Sequence, residues 1–324
     1  MVASDTFNIF IGVRNLRFVK STLIICLLLA SFCANAQKNR PLLHLQKGQT
    51  YFLNDTTVST SVQTVGARQG RVSTTTTFRV TFNITNSTDS LYHIEARYQS
   101  LTMKIKLPDT TLDINSAAKH KTDTLSVIMS EMVNKPFTVI LSAGGKVQSI
   151  ENLDNLMVGA IKNFPSIDSL KKNKIIHQFT QAFGEGALKG VLEIGLAVLP
   201  EKPVAKYEHW VLNSTVALPA FAQVHTNYQL ADLTPDFYFI KGDGTITSAK
   251  DAKLTINGMP ATYDLDGSLT NEIKINKSTG WVSEVKLKQL IEETIEIKDS
   301  IKFPGGINVP MMFTTDMTIN GGKQ

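Results

Sequence analysis

Thr77-Phe78-Arg79-Val80-Thr81-Phe82-Asn83-Ile84 alternates polar and apolar side chains without a break. A period of two puts Phe78, Val80, Phe82 and Ile84 on one face of a strand and the polar set on the other. One face then meets a core and the other meets water, as in an antiparallel sheet. Asn86-Ser87-Thr88-Asp89 supplies a turn, and the chain returns from Leu91 to Leu107. On that return Tyr92, Ile94, Ala96 and Tyr98 share one parity, while Leu101, Met103, Ile105 and Leu107 share the other. A slip of one residue would turn the second set outward, so the pattern predicts a bulge or sharp bend near Gln99-Ser100.

Strand-like patterning covers residues 49–150 around this hairpin. Residues 123–134 are expected to form a short helix ahead of Pro136. Phe137, Val139 and Leu141 then alternate into Ala143-Gly144-Gly145, and Val147 and Ile150 read as the second arm of a hairpin. The character changes over 152–199. Leu153, Leu156, Met157, Ala160 and Ile161 follow a helical period, Phe164-Pro165 breaks it, and Ser166 is expected to cap a second helix. Gly184 and Gly186 are expected to interrupt that helix before the apolar segment Ala187–Leu199. Strands return over 206–324, with candidates at 210–216, 223–233, 237–240, 269–276, 281–297 and 312–319. Lys241-Gly242-Asp243-Gly244 reads as a turn. One echo links the two β-rich stretches: Ser142-Ala-Gly-Gly-Lys-Val147 resembles Ser278-Thr-Gly-Trp-Val282. It reads either as two related β halves or as a chance likeness of two hairpin turns.

The expected fold class is α+β: a predominantly antiparallel, curved, half-barrel-like sheet wrapped on a central helical segment. The expected organisation is a single β-rich domain over 37–324. Residues 37–150 form its first β half, 151–203 the helical segment and 204–324 the second β half.

The N-terminus reads as a secretory signal. Arg14, Arg17 and Lys20 precede the apolar run Ser21–Cys33, and Ala34-Asn35-Ala36 follows it. Cleavage is expected between Ala36 and Gln37. The run is shorter than the roughly 20 residues a spanning helix needs, so no stable membrane span is expected after cleavage. Neither Cys26 nor Cys33 is preceded by the small residue a lipoprotein signal requires. Residues 1–18 are atypical of a signal, and a translation start at Val19 gives a more compact one. The expected location is the periplasm or the cell surface.

Both cysteines lie inside that signal, so the exported chain is expected to have no disulfide, thiolate metal site or cysteine nucleophile. The formal charge of the whole chain is +5, with no basic run dense enough for a nucleic-acid surface. None of the six histidines forms a close pair or an HExxH helix, and no metal site or cofactor is expected. Asp264-Leu265-Asp266-Gly267 superficially resembles a calcium loop. Leu269 and Ile275, however, stand where the loop needs Gly and Glu, so a β-turn is the better reading. No nucleophile elbow, phosphate loop or dinucleotide fingerprint occurs, and no catalytic residue is assigned.

The order of signal, Thr-rich strands, the hairpin Phe137-Thr-Val-Ile-Leu-Ser-x-Gly-x-x-Val, a helical middle and a Trp210-containing strand resembles a family of uncharacterised secreted proteins of Bacteroidota, defined only as a domain of unknown function. The strand–Gly–strand logic is also similar to half-barrels that cradle lipid, such as periplasmic lipoprotein carriers. The second likeness implies one curved sheet wrapped on the helices of 152–199, and neither brings a catalytic residue.

The leading expectation is a non-enzymatic binding protein for a lipid or other hydrophobic small molecule. Its candidate lining is Ile176, Phe179, Phe183, Leu188 and Leu192. A structural or interaction module is the rival, and a hydrolase with dispersed carboxylates is the third class. An apolar cavity beside 176–199 would favour the first, and a cleft with facing carboxylates the last. Asp followed by Ser or Thr is similar to an O-glycosylation sequon of exported proteins. It marks Thr56, Ser90, Thr110, Thr124, Ser169 and Ser300 as candidate modification sites.

Overall fold

The computed structural model describes residues 38–66, 68–117, 123–162, 164, 167–217, 221–249, 252–256, 259–299 and 303–324. The signal, the Ala36–Gln37 bond, Ser166 and Ser300 lie outside the described residues.

The alternating stretch 77–84 lies in β2 (Arg68–Ser87), between β1 (Thr50–Val65) and β3 (Leu91–Lys106). Phe78, Val80, Phe82 and Ile84 are all buried, as the period of two requires. The bulge is where the parity change put it. Arg79 pairs with Ser100 and Val80 with Tyr98, which leaves Gln99 as the extra residue. Tyr92, Ile94, Ala96 and Tyr98 are therefore buried together with Leu101 and Met103.

The first half continues with β4 (Thr111–Asn115), β5 (Pro136–Ser142) and β6 (Val147–Glu151). The second holds β7 (His209–Ala217), β8 (Phe221–Leu233), β9 (Phe237–Ser248), β10 (Ala252–Ile256), β11 (Met259–Asn276), β12 (Val282–Ile297) and β13 (Ile307–Lys323). All belong to one antiparallel sheet of order β6-β5-β3-β2-β1-β13-β12-β11-β9-β8-β7, with β4 on β3 and β10 on β11. The order ends at β6 and β7, so the sheet is open, and its halves meet at the β1–β13 ladder.

Two expected turns are strand interior. Lys241–Gly244 lies inside β9 and Asp264–Gly267 inside β11. Glycine density misled in the first case. Gly242 stands under the side chains of Asn271 and Tyr228, and Gly244 against the His225 carbonyl and the Thr226 hydroxyl, and no Cβ fits at either.

Among the described residues, four helices accompany the sheet: α1 (Thr124–Ser130), α2 (Leu153–Lys162), α3 (Ser169–Phe183) and α4 (Glu185–Leu196). The expected helix over 123–134 is cut to α1, capped by the Asp123 carboxylate on the amides of Leu125 and Ser126. Helix α3 begins at Ser169 and is capped by Asp168, whose side chain accepts the Lys171 amide. Gly184, with extended backbone, separates α3 from α4, whereas Gly186 lies within α4. The Asp154 side chain of α2 accepts the Glu185 amide at 3.0 Å and so caps α4 from a neighbouring helix.

Helices α2–α4 and the sheet share one hydrophobic core. The Phe78 and Phe183 rings meet edge to face at 6.5 Å, and the Tyr98 hydroxyl donates to the Phe183 carbonyl at 2.8 Å. Trp210 of β7 donates its ring N–H to the Val198 carbonyl just past α4, at 2.9 Å. A second cluster, including Ile246, Tyr263, Leu265, Ile291, Ile295 and Val309, fills the far ends of β8–β13. The echoed turns each hold a glycine of positive φ, Gly145 and Gly280, but close differently: the Gly145 amide donates to the Ser142 carbonyl and the Gly280 amide to the Asn276 carbonyl. One segment ties both turns, because the Leu43 amide donates to the Ala143 carbonyl and the His44 amide to the Thr279 carbonyl.

Candidate functional site

Between the shared core and the distal cluster, the inner face of β7–β13 is left partly uncovered. The ladders set its side chains in rungs. One rung runs Met317–Leu287–Asn271–Gly242–Tyr228–Trp210 across β13, β12, β11, β9, β8 and β7. The next runs Thr315–Gln289–Leu269–Gly244–Thr226–Leu212, and the third Ile291–Gly267–Ile246–Val224–Ser214. Above them lie Gly190, Glu193 and Ile194 of α4, then Ala197 and Val198, with Lys146 from the β5–β6 turn. These groups enclose a cavity of about 390 Å³ whose wall is mainly apolar. That volume falls within the roughly 300–1,000 Å³ of small-molecule sites.

The glycines of β9 leave room for the groups that pack on them. A Cβ on Gly242 would stand 2.2 Å from Asn271 Oδ1 and 2.7 Å from the Tyr228 ring, and one on Gly244 would stand 2.6 Å from the His225 carbonyl oxygen and 2.8 Å from Thr226 Oγ1. Asn271 and Tyr228 therefore lie flat across the strand. Asn271 Nδ2 donates to the Tyr228 hydroxyl at 3.4 Å, a long hydrogen bond, and Oδ1 is buried without a partner. Tyr228 stacks on Trp210 with ring centroids 5.9 Å apart. Burial holds the Tyr228 phenol above its ordinary pKa, against the lowering effect of hydrogen bonds with Asn271 and Thr226. The charged groups sit at the hairpin end. Glu193 Oε1 accepts the Val147 amide at 3.2 Å, and Lys146 is exposed. Ser214 and Val216 face the cavity yet are exposed, so it opens along the free edge of β7.

The cavity lies beside the helical segment, but not on the residues expected to line it. Phe179, Phe183, Leu188 and Leu192 are buried in the solid core, and Ile176 packs against that core. None of the five borders the cavity. Helix α4 turns Leu188 and Leu192 toward the core and presents Gly190, Glu193 and Ile194 to the open space. The signal that sequence reading missed was the alternation of Gly242 and Gly244 within a strand pattern.

A second, more open depression of about 480 Å³ lies at the distal ends of β11–β13, beside Asp264, Asp266, Glu292 and Glu293. Asp266 pairs directly with Glu292 across the ladder, and both are exposed. Glu293 is buried and accepts the Tyr263 hydroxyl at 2.7 Å, and burial raises its carboxyl pKa. Among the described residues, no group of three or more His, Cys, Asp or Glu is placed to hold a metal ion. No described helix is long and apolar enough to cross a membrane. Thr56, Ser90, Thr110, Thr124 and Ser169 are all exposed. The aspartates before Thr124 and Ser169 serve as helix caps, and Asp55 before Thr56 is buried.

An open antiparallel sheet with helices and an apolar cavity against it defines a β-rich protein of the α+β class. The chain belongs to a family of unknown function, DUF6263, whose model matches residues 89–282. The match contains the four described helices and β7–β11, and with them most of the cavity wall. No curated protein matches the sequence. Among solved structures, the chain is similar to one titled for lipid–protein interactions in lipovitellin, at 11% identity and a TM-score of 0.47. That match covers 87% of this chain and 26% of the other, so the chain spans about a quarter of that protein's length. An outer membrane channel from Pseudomonas putida F1 matches at 7% identity and a TM-score of 0.22, over 86% of this chain and 97% of the channel.

Proposed function

We propose that this protein is an exported, non-enzymatic carrier or receptor for a hydrophobic small molecule, held between α4 and the inner face of β7–β13. The observation that carries the reading is the cavity of about 390 Å³ with an apolar wall and few polar groups. In this reading the inner face of the sheet cups the helices, and the two ring and hydrogen-bond contacts of Phe183 anchor them there. The ligand enters along the free edge of β7. Export rests on the basic, apolar and small-residue order of residues 14–36.

Native mass spectrometry of the purified protein tests the binding role. The expected result is a bound species that organic extraction removes and that a neutral apolar dye then replaces. A bare mass, together with no dye uptake before or after extraction, would overturn the reading. N-terminal sequencing of secreted material tests export, with Gln37 as the expected first residue.

A further inference from the structure

We infer that the ligand is an uncharged amphiphile, an apolar chain or ring system bearing a hydroxyl or carbonyl, and not a fatty-acid anion. The inference rests on the cavity being the ligand site and adds the ligand's charge class. Charge in the cavity wall decides it. Among the described residues, the wall contains one cation, Lys146, and one anion, Glu193, both at the hairpin end. Lys146 is exposed, and the Glu193 carboxylate is bound by the backbone of the very next residue, Val147. A carboxylate entering there meets an anion as well as a cation, and one carried further in meets no further cation among the described residues. Burying an ionised carboxylate without a partner is strongly unfavourable.

The interior polar groups are neutral and suit a neutral partner. Tyr228 offers a hydroxyl that both donates and accepts, Thr226 another, and Asn271 an amide. The Asn271 oxygen is buried over Gly242 with no donor. A turn of that amide toward the cavity lets a ligand hydroxyl donate to it, and its N–H₂ group then suits a ligand carbonyl. A hydroxyl or carbonyl thus gains a hydrogen bond where a carboxylate gains none that offsets its lost hydration.

The test is competition for the purified protein between dodecanol and dodecanoate, with displacement of the neutral fluorophore N-phenylnaphthylamine as readout. It is run at about pH 8, where a free carboxylic acid is ionised. The expected result is displacement by dodecanol at concentrations roughly tenfold or more below those of dodecanoate. Glu193→Gln, which keeps the acceptor for Val147, is expected to narrow that gap by strengthening dodecanoate. Asn271→Leu, or Tyr228→Phe if the first does not fold, is expected to narrow it by weakening dodecanol. Equal or tighter binding of dodecanoate overturns the inference while leaving the hydrophobic-ligand role standing. A fluorophore that binds neither before nor after organic extraction, to a protein of bare native mass, overturns the hydrophobic-ligand role itself.

Discussion

The amide oxygen of Asn271 lies over Gly242, its direct partner in the β9–β11 ladder, so closely that a Cβ on the glycine would stand 2.2 Å from it. The Tyr228 ring closes the other side at 2.7 Å. Gly242→Ala is therefore expected to lower stability by about 1–3 kcal/mol, the usual cost of overpacking. Adding Asn271→Ala should recover part of the loss, because the oxygen goes while the ring stays. Urea unfolding of the two single variants and the double variant measures the coupling. A Gly242→Ala protein as stable as its parent would refute the packing argument.

Gly190 presents the opposite case. It lies in the interior of α4 and borders the cavity, and a Cβ there meets nothing within 4 Å. Replacing a mid-helix glycine removes a propensity penalty of about 0.8–1 kcal/mol. Gly190→Leu is expected to raise the unfolding midpoint while reducing uptake of a neutral apolar dye, because the new side chain occupies ligand space. Gain of stability with undiminished uptake would show that the dye binds elsewhere.

These two glycines mark the division between what was legible in the sequence and what was not. Residues 77–84 and 91–107 declared their strands, and the parity change at Gln99 declared its bulge, because pleat geometry acts between neighbours in sequence. The cavity is assembled otherwise. Tyr228, Asn271, Leu287 and Met317 meet only through four successive ladders, and strand order does not follow from periodicity. Local turn statistics placed Gly242 and Gly244 in a loop, whereas tertiary contact places them in a strand. The same limit applied to the lining. Helical periodicity identified Phe179, Phe183, Leu188 and Leu192 as apolar, but not which neighbour would cover them.

Tyr98 links β3 to the end of α3. Its ring is fully buried and its hydroxyl donates to the Phe183 carbonyl at 2.8 Å. Burial, with the Asp55 and Asp154 charges, holds the phenol far above its ordinary pKa. Tyr98→Phe removes only the hydroxyl and strands the carbonyl of a buried residue. The expected cost is about 1–2 kcal/mol, visible as a lower urea midpoint at unchanged slope. A neutral outcome would mean that water or another donor replaces the hydroxyl.

Asp55 stands on the inner face of β1, between Phe78 of β2 and Ile319 of β13, and among the described residues its side chain accepts hydrogen bonds from the Thr57 hydroxyl. Only 2% of it is exposed. Burial pushes its pKa up to about 7, against the lowering effect of the Thr57 hydroxyl. The folded state therefore holds the proton more tightly than the unfolded chain, whose aspartate titrates near 3.9. Stability from this group is fully present below the unfolded value. It is lost as pH rises toward about 7 and stays level above that. Asp55→Asn keeps an acceptor for Thr57 and cannot ionise. The difference in unfolding free energy between variant and parent should shift in the variant's favour by a few kcal/mol between about pH 4 and pH 8. Urea titrations of both proteins across that range measure it. A difference that does not change with pH would show that Asp55 enters the folded state with its charge already compensated.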